Sequence, residues 1–229
     1  MPELPEVQTT VNGIRPYLLN KKITKCKVSV EKLRWKLQSD LSKNIINIKI
    51  TDVIRRGKYI IILGKNYYLV IHLGMTGTLR IATKTDKLKK HDHFEITLNS
   101  NYILRFNDPR KFGMVFYSNI CPLKSHRLLI NLGPEPLEQD FNSKYLYMRS
   151  RNRNIAIKSL LMNSNVVVGV GNIYASESLF LSKIRPQKKS STLTKRNCED
   201  LVLSIKKVLK KAIKKGGSSI NDYVNVDGK

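Results

Sequence analysis

No run of about 18 apolar residues occurs anywhere in the sequence, which excludes a membrane-spanning helix. No basic segment followed by an apolar one opens the chain, so a secretory signal is not expected either. Cysteine is sparse. Cys26, Cys121 and Cys198 are odd in number, far apart, and never in a Cys-x-x-Cys pair. That pattern fits unpaired thiols in a reducing compartment, the cytoplasm, and offers no metal-binding framework. Acid is scarce as well. Against 42 Lys and Arg stand 17 Asp and Glu, a formal net charge of +25 at pH 7. Such an excess suits a polyanion, either nucleic acid or an anionic membrane surface. The chain is also rich in Lys, Asn and Ile together, as AT-biased coding produces, so charge alone favours nucleic acid only modestly.

What is present reads as an α+β chain of 229 residues, enough for one large domain or two small ones. Val7, Val11, Ile14 and Leu18 recur at helical spacing, and Pro5 suits a first turn, so a helix is expected from about Pro5 to Leu18. Short β-branched and aromatic runs follow, separated by Gly, Asn or Asp. They predict strands at Ile23–Val30, Ile45–Ile54, Tyr59–Leu63, Tyr67–Leu73, Leu79–Ala82, Phe94–Leu98, Ile103–Phe106 and Met114–Tyr117. Strands so close together, with no helix between them, predict an antiparallel sandwich or barrel over residues 1–120. The pattern changes at Cys121-Pro122. A helix is expected over Leu123–Leu132, stopped by Gly133-Pro134-Glu135-Pro136, which makes 121–140 a linker. Residues 141–229 read as helical, with segments at Asn142–Arg149, Ile155–Met162, Asn172–Leu181 and Thr194–Lys215. The last is ended by Gly216-Gly217, and the tail from Ser218 to Lys229 is left unassigned.

Several clusters could carry chemistry. If Met1 is removed, Pro2 offers a secondary amine, which can attack an electrophilic carbon and form a cationic imine. Glu3 beside it could move protons, and a helix N-terminus nearby would keep the nitrogen unprotonated. The plainer reading is a Pro/Glu-rich helix cap. Lys58, in Arg55-Arg-Gly-Lys-Tyr59, sits where the chain turns into a strand, as a placed ammonium or as a basic strand edge that resists aggregation. Met75, between Gly74 and Gly77, could wedge between bases or fill the core. Asp108-Pro-Arg-Lys-Phe-Gly113 sets a guanidinium, Arg110, and a ring, Phe112, on one turn; these could read a base edge and stack, or form a salt bridge and a core ring. Lys90-His91-Asp92-His93 places two histidines at i and i+2. Metal is disfavoured there for want of further ligands, leaving phosphate contact or a structural role. Asn165-Val-Val-Val-Gly-Val-Gly-Asn172 lies between two helices, with Asn172 as N-cap and Gly169 and Gly171 allowing close backbone approach to phosphate. With Arg149, Arg151, Arg153 and Lys158 ahead of it, this forms a helix–two-turn–helix suited to a DNA backbone, or else a plain helical hairpin.

Pro2-Glu-Leu-Pro-Glu6, Arg56-Gly-Lys58, His72-Leu-Gly-Met75, Lys90-His-Asp-His93, Asp108-Pro-Arg110 with Phe112-Gly113, Leu132-Gly-Pro-Glu-Pro136 and Val168-Gly-Val-Gly-Asn-Ile-Tyr-Ala-Ser-Glu177 occur in that order. In this combination, over essentially the whole chain, the sequence resembles bacterial formamidopyrimidine-DNA glycosylases, repair enzymes for oxidised purines such as 8-oxoguanine. The resemblance implies a β-sandwich and a helical domain with damaged double-stranded DNA in the cleft between them, a monomer, and a bacterial, nucleoid-associated setting without a membrane. It implies Pro2 as nucleophile at C1′, Glu3 as proton shuttle, Glu6 in support and Lys58 as proton donor in the elimination. Met75, Arg110 and Phe112 would fill the gap left by the everted nucleotide, and His72, His91, Arg153 and Asn172 would contact DNA. The family carries one structural zinc on a four-cysteine finger. With no Cys-x-x-Cys here, no cofactor is expected. Asn163 stands where the family has an acidic residue. The rival expectations are a binder of damaged DNA without catalysis and a general nucleic-acid-binding protein.

Overall fold

The computed structural model describes residues 2–217, and the tail left unassigned above lies outside the described residues. Helix α1 (Leu4–Leu18) opens the chain and is followed by β1 (Ile23–Val28), a short α2 (Leu41–Asn44) and β2 (Ile50–Arg56). Strands β3 (Tyr59–Gly64), β4 (Tyr67–His72), β5 (Thr78–Thr83), β6 (Asp92–Leu98), β7 (Tyr102–Asn107) and β8 (Met114–Ser118) complete two four-stranded sheets. Their orders are β1-β6-β7-β5 and β2-β3-β4-β8, and every pairing is antiparallel. After α3 (Pro122–Ser125) the chain becomes helical: α4 (Ser143–Ser150), α5 (Ile157–Met162), α6 (Asn172–Leu181) and α7 (Lys195–Lys214). The expected α+β class, a leading helix, an antiparallel sandwich and a helical unit, is what folds.

The apolar residues sort into two main cores. Val7, Val11, Ile14 and Leu18 of α1 bury between the sheets with Ile60, Leu69, Ile96 and Phe106. At about 1.5–3 kcal/mol for each fully buried side chain, this stripe of four is a large share of what docks the helix. Leu4 belongs instead to the second core, with Val166, Val170, Tyr174 and Leu201. One helix therefore has its body in the first unit and its first turn in the second. The continuous run Ile60-Ile61-Ile62 is explained by burial on both faces of β3. Ile60 and Ile62 face the sandwich core, while Ile61 packs with Val70 and Leu129.

Two expectations need correction. The strand expected over Ile45–Ile54 starts only at Ile50. Leu41–Asn44 turn into a short helix, and Asn47 sits at φ +68, which no continuous strand accommodates. The buried Leu41, Ile45 and Ile50 mimic a strand in composition while coming from a helix, a turn and a strand. The helix expected over Leu123–Leu132 closes at Ser125. His126 adopts extended backbone, stacks its ring on Phe116 at 4.2 Å and accepts the Leu128 N–H on Nδ1. A side chain that takes over a backbone donor competes with the helix ladder.

A carboxylate joins the linker to the sandwich. Glu135 accepts from Arg55 Nη1 at 2.5 Å, Arg56 Nη1 at 2.9 Å and the Gly57 N–H at 2.7 Å. Arg56 Nη2 also donates to the carbonyls of Leu132 and Gly133. The β2–β3 hairpin tip is thereby fixed against the second unit. Glu135→Ala leaves two largely buried guanidinium groups without their carboxylate and is expected to cost about 3 kcal/mol. Urea unfolding of the purified variant measures this.

Candidate active site

The site begins where the first residues meet the loop before α6. The Leu4 N–H donates to the Gly169 carbonyl at 3.1 Å, and Leu4 is wholly buried. Gly169 has φ +79, and a side chain there would strike Leu4. Glu3 follows this docking inward. Its buried carboxylate accepts the N–H groups of Gly171 at 2.8 Å, Ile173 at 2.9 Å and Tyr174 at 3.4 Å. These are unsatisfied donors of the first turn of α6, so Glu3 caps a helix 168 residues away from it. Asn172, expected as the cap, is the exposed first residue of the helix, and Gly171 is the cap position. Glu6 is buried beside Glu3. It accepts the Glu3 N–H at 2.9 Å and the Tyr174 hydroxyl at 2.6 Å. Pro2 is buried at the start of this thread. While Met1 precedes it, its nitrogen is an amide.

Lys58 enters the same point from the sandwich. Gly57 and Lys58 form a two-residue hairpin between the paired Arg56 and Tyr59, with Gly57 at φ +57 and Val168 against it. A Cβ on Gly171 would lie 2.6 Å from Lys58 Nζ and 2.5 Å from Glu3 Oε1, so ammonium and carboxylate flank a single glycine. Burial holds the Lys58 ammonium below the ordinary lysine range, opposed by the carboxylates of Glu3 and Glu6. His72 lies next to it. Burial, then the charges of Lys58 and Arg34, push its imidazole down to about 4, and its Nδ1 accepts the Gly74 N–H at 3.0 Å. His72 is thus a neutral imidazole whose Nε2 carries the proton, an arrangement that donates a hydrogen bond without adding charge.

Two irregular loops stand beside these residues. Asp108, fully buried, accepts the Thr76 hydroxyl at 2.8 Å and the Gly113 N–H at 2.7 Å, locking the Gly74–Gly77 loop to the 108–113 turn. Gly74, at φ +65, has the Phe112 backbone against the place of its missing side chain. On this fixed frame Met75 and Phe112 are 40% and 42% exposed, so neither fills the core. The Arg110 guanidinium lies 4.7 Å from the Phe112 ring centre. With Arg34, His72 and Lys111 these side chains line a groove of about 610 Å³. His91 precedes β6 at φ +74, outside the strand that holds His93, with its ring 5.9 Å from the His93 ring. Its carbonyl accepts the Asp108 N–H at 3.0 Å, which puts it beside the same turn.

The structure thus gathers Pro2, Glu3, Glu6, Lys58, His72 and Asn172, with Met75, His91, Arg110 and Phe112 on the adjoining loops. Arg153 stands on the loop between α4 and α5, where its carbonyl accepts from Ser190 and Ser191. Arg149 and Arg151, the cations ahead of the turn, are half-buried and bond to backbone carbonyls. Arg149 donates to the Asn165 carbonyl at 3.1 Å and Arg151 to the Leu193 carbonyl at 2.7 Å. Asn163 Oδ1 accepts the Asn165 N–H at 2.9 Å, so an amide supports this turn. Tyr174, Glu135 and Arg34 escaped the sequence reading. Their partners are remote in sequence. Tyr174, within Gly171-Asn-Ile-Tyr174, and Glu135, within Leu132-Gly-Pro-Glu-Pro136, lay inside recognised motifs without a role of their own, and Arg34 lay outside them.

The pattern of the formamidopyrimidine-DNA glycosylase N-terminal domain matches residues 1–115, and that of the formamidopyrimidine-DNA glycosylase H2TH domain matches residues 132–224. The formamidopyrimidine-DNA glycosylase of Histophilus somni strain 129Pt is 47% identical over 229 residues, covering 100% of this chain and 84% of that protein. The chain belongs to the formamidopyrimidine-DNA glycosylase family. The formamidopyrimidine-DNA glycosylase of Haemophilus influenzae strain 86-028NP is 46% identical, over 100% of this chain and 83% of its own length. Among solved structures, wild-type Lactococcus lactis Fpg in complex with DNA containing N7-benzyl-Fapy-dG superposes with a TM-score of 0.90 at 34% identity, covering 100% of this chain and 85% of that one. A Lactococcus lactis Fpg complex with DNA containing an abasic site gives 0.89 at 33%, covering 98% and 82%. Among the described residues, no three His, Cys, Asp or Glu side chains gather as a possible metal site, and Cys198 is buried.

Two outcomes follow from this geometry. Gly171→Ala drives a methyl between Glu3 and Lys58 and is expected to lower lesion processing about 10²-fold or more, because misplacing reacting groups by an ångström costs that much. Single-turnover rates on a damaged duplex measure it. His72 titrates at about 4 in the fold against an ordinary 6.5. Between those values the unfolded chain binds a proton that the folded chain refuses, so stability falls as pH drops from 6.5 to 4. His72→Gln should flatten that part of a stability–pH curve.

Proposed function

We propose that this chain is a bifunctional DNA glycosylase and abasic-site lyase that excises oxidised purines, 8-oxoguanine and formamidopyrimidines, from duplex DNA. One observation carries the reading: Glu3, next to Pro2 in the chain, and Lys58, from the β2–β3 hairpin, meet at Gly171. Once Met1 is removed, the Pro2 nitrogen attacks C1′ of an everted nucleotide. The base leaves with a proton delivered through Glu3. The C1′–O4′ bond then breaks, O4′ takes the proton given up by the Pro2 nitrogen, and the ring-opened sugar remains as a cationic imine. That imine acidifies C2′–H. Loss of the proton and departure of the 3′ phosphate cleave the strand, with Lys58 donating a proton. A lysine whose acidity is raised by burial is a better donor near neutral pH than an ordinary one.

Extruding a nucleotide costs a few kcal/mol of lost pairing and stacking. Met75, Arg110 and Phe112, exposed on loops that Asp108 locks together, suit the filling of the vacated space. Arg110 would read the orphaned base, and His72, His91, Arg153 and Asn172 would hold phosphate oxygens. Duplex DNA as partner fits the +25 charge and the relatives whose solved complexes contain DNA. The rival reading, a binder of damaged DNA without catalysis, is favoured by the burial of Pro2 for as long as Met1 remains attached.

Borohydride trapping on an 8-oxoguanine duplex, with the N-terminal mass determined on the same sample, decides between them. A covalent adduct at Pro2 is expected from the trimmed chain and none from the chain that keeps Met1. Absence of an adduct from a fully trimmed sample would leave only the binder. Glu3→Gln is expected to slow base release about 10²–10⁴-fold while the fold persists.

A further inference from the structure

The segment Glu31–Leu37 plays no part in the chemistry above, yet it is held from every side. Leu33 and Leu37 are buried anchors in the sandwich core. Lys32 and Lys36 form an isolated antiparallel bridge, and the Leu33 N–H donates to the Trp35 carbonyl at 3.1 Å. Trp35, the only tryptophan of the chain, carries the Arg127 guanidinium 4.9 Å from its ring centre. The Arg34 N–H donates to the Gly113 carbonyl at 3.1 Å, fastening the segment to the turn that bears Arg110 and Phe112.

All of this fixes the backbone of Arg34, and none of the described residues engages its guanidinium. Among the described residues it has no hydrogen-bond or ion-pair partner, although it lines the 610 Å³ groove with Met75, Arg110, Lys111 and Phe112. No carboxylate lines that groove. Its charge reaches His72 and Tyr59, so it stands on the same side as Lys58. A cation held by its backbone, without an anionic neighbour, is preorganised for an anion that arrives with the ligand. The neighbours argue for a phosphodiester rather than a free anion, because exposed apolar groups, Met75 and Phe112, share the groove with the cations.

We infer that Arg34 is a DNA-phosphate contact of the site, held in place by the Trp35–Arg127 stack and the Gly113 hydrogen bond. It is sequence-independent and sets affinity and register rather than base choice. The inference rests on the reading that this groove receives duplex DNA.

The test is equilibrium binding of the full chain to a duplex carrying a tetrahydrofuran abasic analogue, and to the matching undamaged duplex, over a salt series. Arg34→Met is expected to weaken both about 10-fold and to reduce the slope of log K against log salt by about 1. Its melting temperature should match the parent's. Arg34→Lys should restore the slope, and Trp35→Leu should lose part of the affinity through misplacement of Arg34. An unchanged slope in Arg34→Met overturns the inference. So does a loss that depends on the base opposite the lesion, which would mean base reading, or a fall in melting temperature with an unchanged slope, which would mean a structural arginine. Because binding needs no covalent step, failure to trap an adduct in the parent chain leaves this result standing, and an adduct does not rescue an unchanged slope.

Discussion

One carboxylate couples the two halves of this molecule. Glu3 sits just ahead of α1 and satisfies the first donors of α6, so the ends of two helices from different units share one residue. A helix start exposes unpaired N–H groups and a partial positive charge, and both must be met by something. Here they are met by a side chain whose own helix is buried in the other unit. The relative position of sandwich and helical unit is therefore written into the site itself. Any slip between them would uncap α6 and pull Glu3 from Lys58 together.

The surrounding electrostatics is arranged at a cost to the fold. Lys58 brings an ammonium to a place that disfavours it, and His72 is kept from taking a proton that it would accept in water. Neither is compensated in the way Arg80 is by Asp92 or Arg105 by Glu95, where cation and carboxylate pair directly. Those two pairs sit in a sheet and serve structure. Arg34, Arg110 and Lys111, which have no ion-pair partner among the described residues, line the groove. A surface that withholds counter-charges from its own cations keeps them available to a polyanion.

Much of this was legible in the sequence. Strand runs of β-branched residues and the four-residue stripe of α1 follow simple periodicity, and both folded as read. The failures have a common cause. Ile45 to Ile54 looked continuous because burial, not extension, was being detected, and Asn47 hides a left-handed residue among apolar neighbours. His126 broke a helix through a ring contact to a residue in another strand. Asn172 looked like a cap because its real counterpart lies 168 positions upstream of Gly171. Motifs located Glu3, Lys58 and Arg110, whereas Arg34 declares itself only through neighbours that the fold supplies, and Glu135, though inside a motif, takes its role from arginines 79 and 80 positions away.

The seating of the first residues against Gly169–Tyr174 also bears on the order of synthesis. Residues 2–4 cannot be covered until the chain has been made past position 174, roughly 10–30 s after they emerge at ordinary elongation rates. Throughout that interval the leading residues have no partner surface, and a peptidase working at the ribosome meets them bare. Removal of Met1, which the proposed chemistry requires, would thus be completed on the nascent chain, and closure of the second core would afterwards put the new terminus out of an exopeptidase's reach.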